Sequence, residues 1–257
     1  MNGGRCYELR GVDAADALDW LHVHADVLGV HEADDVLVVW LAAELPPMPF
    51  PAVHGREVAI DRSAAPITGL EHDAAIPVAP DLLVRPPWVA RPATFTGIEL
   101  VVPRGGAFGS GEHASTQAAL RCLHTMWDAP PSFGDVGTGS GILALYAAVR
   151  GCRVVVACDI DAACVAAARE LLPGADVHLG GAETMPAVAG LVANMTGDEL
   201  RAAMPAMLAA WRGTHALVLS GMREHEVAAV AALVPRPVAH RCTQGAFTAL
   251  GYRGAVK

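Results

Sequence analysis

The sequence predicts an α/β protein with a doubly wound, mostly parallel sheet, an antiparallel C-terminal edge strand, and a small α+β domain in front. Three observations carry this. From about Thr94, apolar runs of strand length alternate with segments of helical period, the pattern of a parallel sheet covered on both faces. The glycine-rich bend of DVGTGSG stands where one such strand hands over to a helix. Ten of the 18 prolines fall between Pro46 and Pro92, a density that breaks helices and removes ladder donors.

The elements come in this order. CYELRGV reads as a strand and DAADALDWLHVHA as a helix. The runs around VLGVHE and DVLVVWLAA read as a hairpin turning at Ala33, Asp34 and Asp35. Residues 1–45 thus form a β-α-β-β unit, residues 46–93 an irregular proline-rich linker, and residues 94–257 the main domain. There, IELVVP is a strand, and HASTQAALRCLHTMW sets Leu120, Leu123 and Trp127 at helical spacing. SFGDVG is a strand feeding the bend, ILALYAAVRG a helix, and RVVVACDI a buried strand. DAACVAAARELL is a helix with Asp161 as N-cap and Pro173-Gly174 as its stop. ADVHLGG, LVANM and HALVLSG are further strands, with helices DELRAAMPAMLAAW and MREHEVAAVAAL after the last two. PVAHRCTQGAFTALGYRG closes the chain as a hairpin.

Composition narrows the function. The 257 residues are 53% hydrophobic and 18% charged, enough apolar surface for a sizeable core. Net charge is -9, and the single lysine is Lys257. That argues against nucleic acid or an anionic membrane as partner and is compatible with a basic protein or peptide substrate. No apolar run approaches the roughly 18 to 20 residues that span a bilayer, and MNGGRCYELRG lacks the apolar core of a secretory signal. The six cysteines contain no C-x-x-C pair; they read as reduced thiols of a cytoplasmic protein, with no zinc site.

A strand running into Gly137-Thr138-Gly139-Ser140-Gly141 and then a helix is a nucleotide-binding arrangement. Glycine permits positive φ and close approach of a ligand to backbone, and a helix start offers N–H groups. Asp135 precedes the bend, and Asp159, followed by Ile160, ends the next strand 20 positions after Gly139. An acid there accepts hydrogen bonds from ribose hydroxyls. The dinucleotide fingerprint wants a third glycine where Ile142 stands; G-x-G-x-G instead favours S-adenosylmethionine, which has no pyrophosphate. Upstream, GGAFGSGEHASTQAAL surrounds Phe108, His113 and Thr116 with glycines and small residues, the make-up of a loop that folds around a ligand. Downstream, Asn194 ends the apolar strand of LVANM, where open α/β sheets place their ligands.

Together, GGAFGSGEHAST, DVGTGSGILAL, ACDIDAACV and LVANM resemble the bacterial PrmA family, the methyltransferases of the large-subunit ribosomal protein eleven, over residues 80–257. The resemblance implies the Rossmann-like fold of class I methyltransferases and a small N-terminal substrate-recognition domain. It also implies S-adenosylmethionine as cofactor and methyl transfer to an amine of a protein or peptide. By the same resemblance, Thr116 lies near the methionine part of the cofactor, and Phe108 counts among the cofactor-binding residues. Gly137, Thr138 and Gly139 approach the methionine part through backbone, and Asp135 counts among the cofactor-binding residues. Asp159 and Ile160 meet the ribose and its surroundings, Gly181 and Ala182 border the adenine, and Asn194 lies beside the methyl. Asn194 is the candidate catalytic residue, with His113 as a second, either proton acceptor or hydrogen-bonding strut. Met195 and Met222 read as core. Two other functions stay open: methylation of a small molecule or modified peptide in a biosynthetic pathway, and a non-catalytic cofactor-binding module.

Overall fold

The computed structural model describes residues 5–25, 27–33, 36–41, 43–50, 56–58, 74–103 and 109–254. Two compact units divide the chain, residues 1–72 and 73–257.

In the first unit, β1 (Arg5–Arg10), α1 (Ala14–His24), β2 (Val27–Ala33) and β3 (Val36–Leu41) keep the order expected from sequence. Asp34 and Asp35 of the expected turn lie outside the described residues. The sheet runs β2-β3-β1-β4, its last strand being β4 (Arg56–Val58), antiparallel to β1. Tyr7 and Leu9 of β1 and Val39 and Leu41 of β3 alternate inward against Ala17 and Leu21 of α1. That is period-two burial meeting a helical stripe.

The second unit opens with a three-stranded sheet, β5 (Ile76–Ala79), β6 (Leu82–Arg85) and β7 (Ile98–Val101). These strands revise the reading of 46–93 as irregular connection. β6 pairs in parallel with β7, so the segment just before residue 94 belongs structurally with the main domain. Proline survives here because Pro77 sits on β5, an edge strand of the sheet, where proline is tolerated.

The larger sheet holds β8 (Ser132–Val136), β9 (Val154–Asp159), β10 (Asp176–Leu179), β11 (Gly190–Asn194), β12 (Leu217–Arg223), β13 (His240–Gln244) and β14 (Phe247–Tyr252). Its order is β10-β9-β8-β11-β12-β14-β13. β8 to β12 pair in parallel, while β14 and β13 are antiparallel at one edge. Alternate side chains feed two cores. Phe133, Val155, Ala157, Val192 and Val218 face α2 (Ala114–Met126), α3 (Ile142–Val149) and α4 (Ala162–Leu171). Val156, Leu191, Ala193, Leu217 and Leu219 face α5 (Gly197–Ala210) and α6 (Glu224–Ala231). Strands buried on both faces explain the near-continuous apolar runs in the sequence.

The chain winds outward from β8 to β10, then returns to place β11 on the other side of β8. This reversal opens a crevice at the carboxyl ends of β8 and β11, where ligands of open α/β sheets bind. The glycine bend and Asn194 both stand there.

Candidate active site

Three alternating glycines shape the turn after β8: Gly137, Gly139 and Gly141 have φ of 67°, 55° and 90°. A Cβ on Gly141 would sit 3.0 Å from Leu172 Cδ1, so this glycine brings α3 close to α4. A Cβ on Gly137 would sit 2.9 Å from Met195 Sδ. Met195, expected as core, is half-buried and packs over the bend, whereas Met222 is wholly buried.

The amides of this bend face inward. Gly137 N and Thr138 N donate to Cys158 O at 2.9 and 3.1 Å, and Gly141 N donates to Thr138 O at 2.9 Å. Gly139 N donates to Asp159 Oδ2 at 2.9 Å. The sequence suggested N–H groups offered to a ligand; at these four positions they are satisfied within the protein. The Asp159 carboxylate reaching back, and a carbonyl on the neighbouring strand, account for the difference. What these four residues leave for a ligand is carbonyl oxygen and bare Cα surface.

Asp135 lies beneath this turn, fully buried. Its Oδ2 accepts from Thr138 Oγ1 at 2.7 Å and from Ala144 N at 3.1 Å, tying the bend to α3. Its Oδ1 is buried without a partner among the described residues. Desolvation pushes this carboxyl up to about 7; the bonds from Thr138 and Ala144 oppose that, and the charge of Asp159 adds to it. Thr138 therefore serves the bend with its hydroxyl.

Asp159 ends β9 half-buried, and its Oδ1 accepts from Asp161 N at 3.0 Å. Asp161 caps α4 as expected, accepting from Ala163 N at 2.7 Å. Ile160 is 82% exposed, an apolar side chain left in solvent beside the acid. At the end of β10, Gly180 N donates to Asp159 O at 2.9 Å. Gly181 and the buried Ala182 come next, with Gly181 N on Glu183 Oε1 at 3.1 Å. Asp159, Ile160, Gly181 and Ala182 thus gather at the carboxyl ends of β9 and β10.

Asn194, at the carboxyl end of β11, meets Thr116. Asn194 Nδ2 donates to Thr116 Oγ1 at 3.4 Å, a long bond to a residue fully buried in the first turn of α2. Asn194 Oδ1 is buried with no partner among the described residues. Two residues on, Thr196 caps α5 in a capping box with Glu199, which fixes where β11 ends. The start of α2 is anchored to β12 through Ser220 Oγ, which donates to Ser115 O at 2.9 Å.

His113 is the N-cap of α2. Its Nδ1 accepts from Ser115 N at 3.3 Å and lies 2.7 Å from Ser115 Oγ. Because an amide only donates, Nδ1 is the acceptor there and the ring proton sits on Nε2. The ring meets Phe247 edge-on at 4.7 Å, and desolvation lowers its pKa. These contacts hold the first turn of α2. Phe108 lies outside the described residues.

Sequence reasoning passed over Ser140, whose Oγ donates to Gly109 O at 2.7 Å and ties the upstream loop to the bend. It also passed over Gly221, with φ of 96° and a missing Cβ that would stand 2.2 Å from Met195 O. A glycine just past an apolar strand at the carboxyl edge was the available signal. Among the described residues no group of three His, Cys, Asp or Glu is placed to hold a metal. No described helix is long and apolar enough to cross a membrane.

Sheet order, the antiparallel β14–β13 edge and a glycine bend followed by an acid make a Rossmann-like fold, and the class it belongs to is that of the methyltransferases. The family model described as ribosomal protein L11 methyltransferase (PrmA) matches residues 74–240. A ribosomal protein L11 methyltransferase of Thiobacillus denitrificans is 32% identical over 207 residues, covering 79% of this chain and 69% of that protein. One of Dechloromonas aromatica is 31% identical over 219 residues, covering 83% and 73%. The crystal structure of a ribosomal protein L11 methylase from Lactobacillus delbrueckii subsp. bulgaricus superposes with a TM-score of 0.63 at 23% identity. It covers 70% of this chain and 99% of that one, and it speaks for the fold alone. The chain belongs to the PrmA family and is a methyltransferase.

Proposed function

We propose that this methyltransferase binds S-adenosylmethionine across the carboxyl ends of β8, β9 and β11 and methylates an amine of a protein or peptide. The observation that carries the reading is Asn194 Oδ1, a buried acceptor at the crevice with no partner among the described residues. A buried acceptor of this kind calls for a donor.

The rest of the site fits the cofactor. A pyrophosphate would need several N–H donors, yet the amides of Gly137, Thr138, Gly139 and Gly141 are satisfied internally and Asp135 lies directly beneath. Carbonyls backed by carboxylates suit a cation. Asp159 keeps lone pairs for ribose hydroxyls, Ile160 gives an apolar face beside it, and Gly181 with Ala182 borders the base. Thr116 and the bend from Gly137 to Gly139 line the charged end. The cofactor supplies a methyl group on a sulfonium sulfur, with a neutral leaving group.

An acceptor ammonium has no lone pair and must first lose a proton. Desolvation in the crevice lowers its pKa. Asn194 Oδ1 accepts a hydrogen bond from the neutral amine and aims its lone pair, and Thr116 Oγ1 holds the Asn194 amide in place. Positioning of this kind is worth several kcal/mol. His113 keeps the first turn of α2, and so Thr116, in register. The acceptor is a basic ribosomal protein in the cytoplasm, recognised in part by the unit of residues 1–72.

Incubation with labelled S-adenosylmethionine and whole-cell extract, split into macromolecular and small-molecule fractions, tests this. Label in the protein fraction supports the proposal, while label confined to small molecules makes this a biosynthetic enzyme. Calorimetry showing no cofactor binding would leave only a module that keeps the fold.

A further inference from the structure

Away from the crevice, two thiols meet where α2 packs on the edge strand β13. We propose that Cys242 is a reactive thiolate and a site of oxidation by hydroperoxides, with Cys122 as the partner that resolves it into a disulfide joining α2 to β13.

Cys242 is half-buried on the outermost strand, and His240, two residues earlier, shares its face. Cys242 Sγ lies 3.3 Å from His240 Nε2. The Arg121 guanidinium is fixed beside the pair by Gln244 Oε1 at 2.6 Å and Val78 O at 2.7 Å. The next residue along α2 is Cys122, fully buried. Its sulfur lies 3.0 Å from where a Cβ on Gly251 would be, and Gly251 pairs with His240. Cys242 packs against the core cluster that contains Cys122, which brings the two thiols close enough for each to act on the other's titration. The neighbouring Cys122 thiol holds the Cys242 thiol below its ordinary range; burial opposes this, and His240 and Arg121 reinforce it. The same contact pushes Cys122 far up. The half-buried Cys152 and Cys164 behave oppositely, both raised chiefly by burial. Thiolates, not thiols, attack peroxides.

The chemistry balances. The Cys242 sulfur attacks one peroxide oxygen, the O–O bond breaks, and the leaving hydroxide takes a proton to become water (or an alcohol from an organic hydroperoxide). Cys242 is oxidised to the sulfenic acid and the peroxide is reduced. The negative charge that held the Cys122 proton is then gone. The Cys122 sulfur loses that proton and attacks Cys242; the S–O bond breaks, and the sulfenic hydroxyl leaves with the proton as water. The disulfide pins the helix whose first turn carries Thr116.

The test uses the full chain and needs no substrate. Timed alkylation with iodoacetamide at pH 6 and pH 8.5, mapped by mass spectrometry, should find Cys242 modified first. At pH 6 it should lead Cys152 and Cys164 by ten-fold or more. Hydrogen peroxide should then remove two hydrogens from the wild type in a Cys122–Cys242 crosslink, and dimedone should trap Cys242 in Cys122→Ser. Alkylation of Cys242 no faster than Cys152 and Cys164 overturns the proposal without any variant having to fold. A peroxide-induced crosslink that omits Cys242 overturns it too.

Discussion

Gly139 and Asp159, 20 residues apart, are joined by a hydrogen bond of 2.9 Å from the glycine amide to the acid's Oδ2. The side chain that meets the ribose in the proposed complex also shapes the bend under the sulfonium. Asp159→Ala therefore removes two supports at once. Charge-assisted hydrogen bonds are worth about 1.5–3 kcal/mol, so the cofactor Kd should rise roughly ten- to a hundred-fold. Calorimetry with S-adenosylmethionine reads this directly, and an unchanged Kd would remove Asp159 from the site.

Asn194 stands differently: its Oδ1 is buried with no partner among the described residues, and in the proposed complex it meets the acceptor amine. Asn194→Ala should lower kcat on the order of 100-fold, the scale of losing the alignment of a reacting group. Cofactor Kd should change by less than about threefold. Equal losses in both would make Asn194 a cofactor ligand instead. His113→Asn keeps an N-cap side chain and should keep most of the activity; if His113 moves the acceptor proton, that variant is dead.

How far the sequence could reach is clearest at this pair of strand ends. Asp159 and Asn194 were legible because each closes an apolar run, and in a parallel sheet that is the ligand edge. The bend was legible from its glycines. Where its amides point was not, since that depends on Cys158 O and the Asp159 carboxylate, which become neighbours only once β9 lies beside β8. β5 and β6 were hidden for another reason. Proline density argues against strands, yet Pro77 sits on an edge, where the usual penalty does not apply. The antiparallel β14–β13 edge was visible as a loss of helical period at the end of the chain.

Asp135 sets a pH dependence. An unfolded aspartate titrates near 4, and the buried carboxyl of the folded chain is pushed up to about 7. Between these values the native state holds a proton that the unfolded state has released, so stability falls as pH rises. The contribution is whole below about 4 and gone above about 7, a swing on the order of a few kcal/mol. Asp135→Asn does not titrate. Without added ligand, its Tm relative to the wild type should improve from pH 5 to pH 8. A gap between the two proteins that stays constant over that range would mean Asp135 is ionised throughout.

Gly221 and Gly151 separate backbone strain from steric conflict. Both have positive φ, 96° and 82°, so alanine is strained at either. Around Gly151 nothing lies within 4 Å of the added Cβ, whereas at Gly221 it would stand 2.2 Å from Met195 O. Gly151→Ala should therefore cost about 1 kcal/mol, the strain alone. Gly221→Ala should cost on the order of 3 kcal/mol, because β11 has to move away from the bulge in β12. That movement displaces Asn194 and Met195 together. Urea unfolding gives the stabilities and a methylation assay the rates: Gly221→Ala should lose activity even where it is fully folded, and Gly151→Ala should not. If the two variants are equally active when folded, the spacing between β11 and β12 has no part in aligning the acceptor.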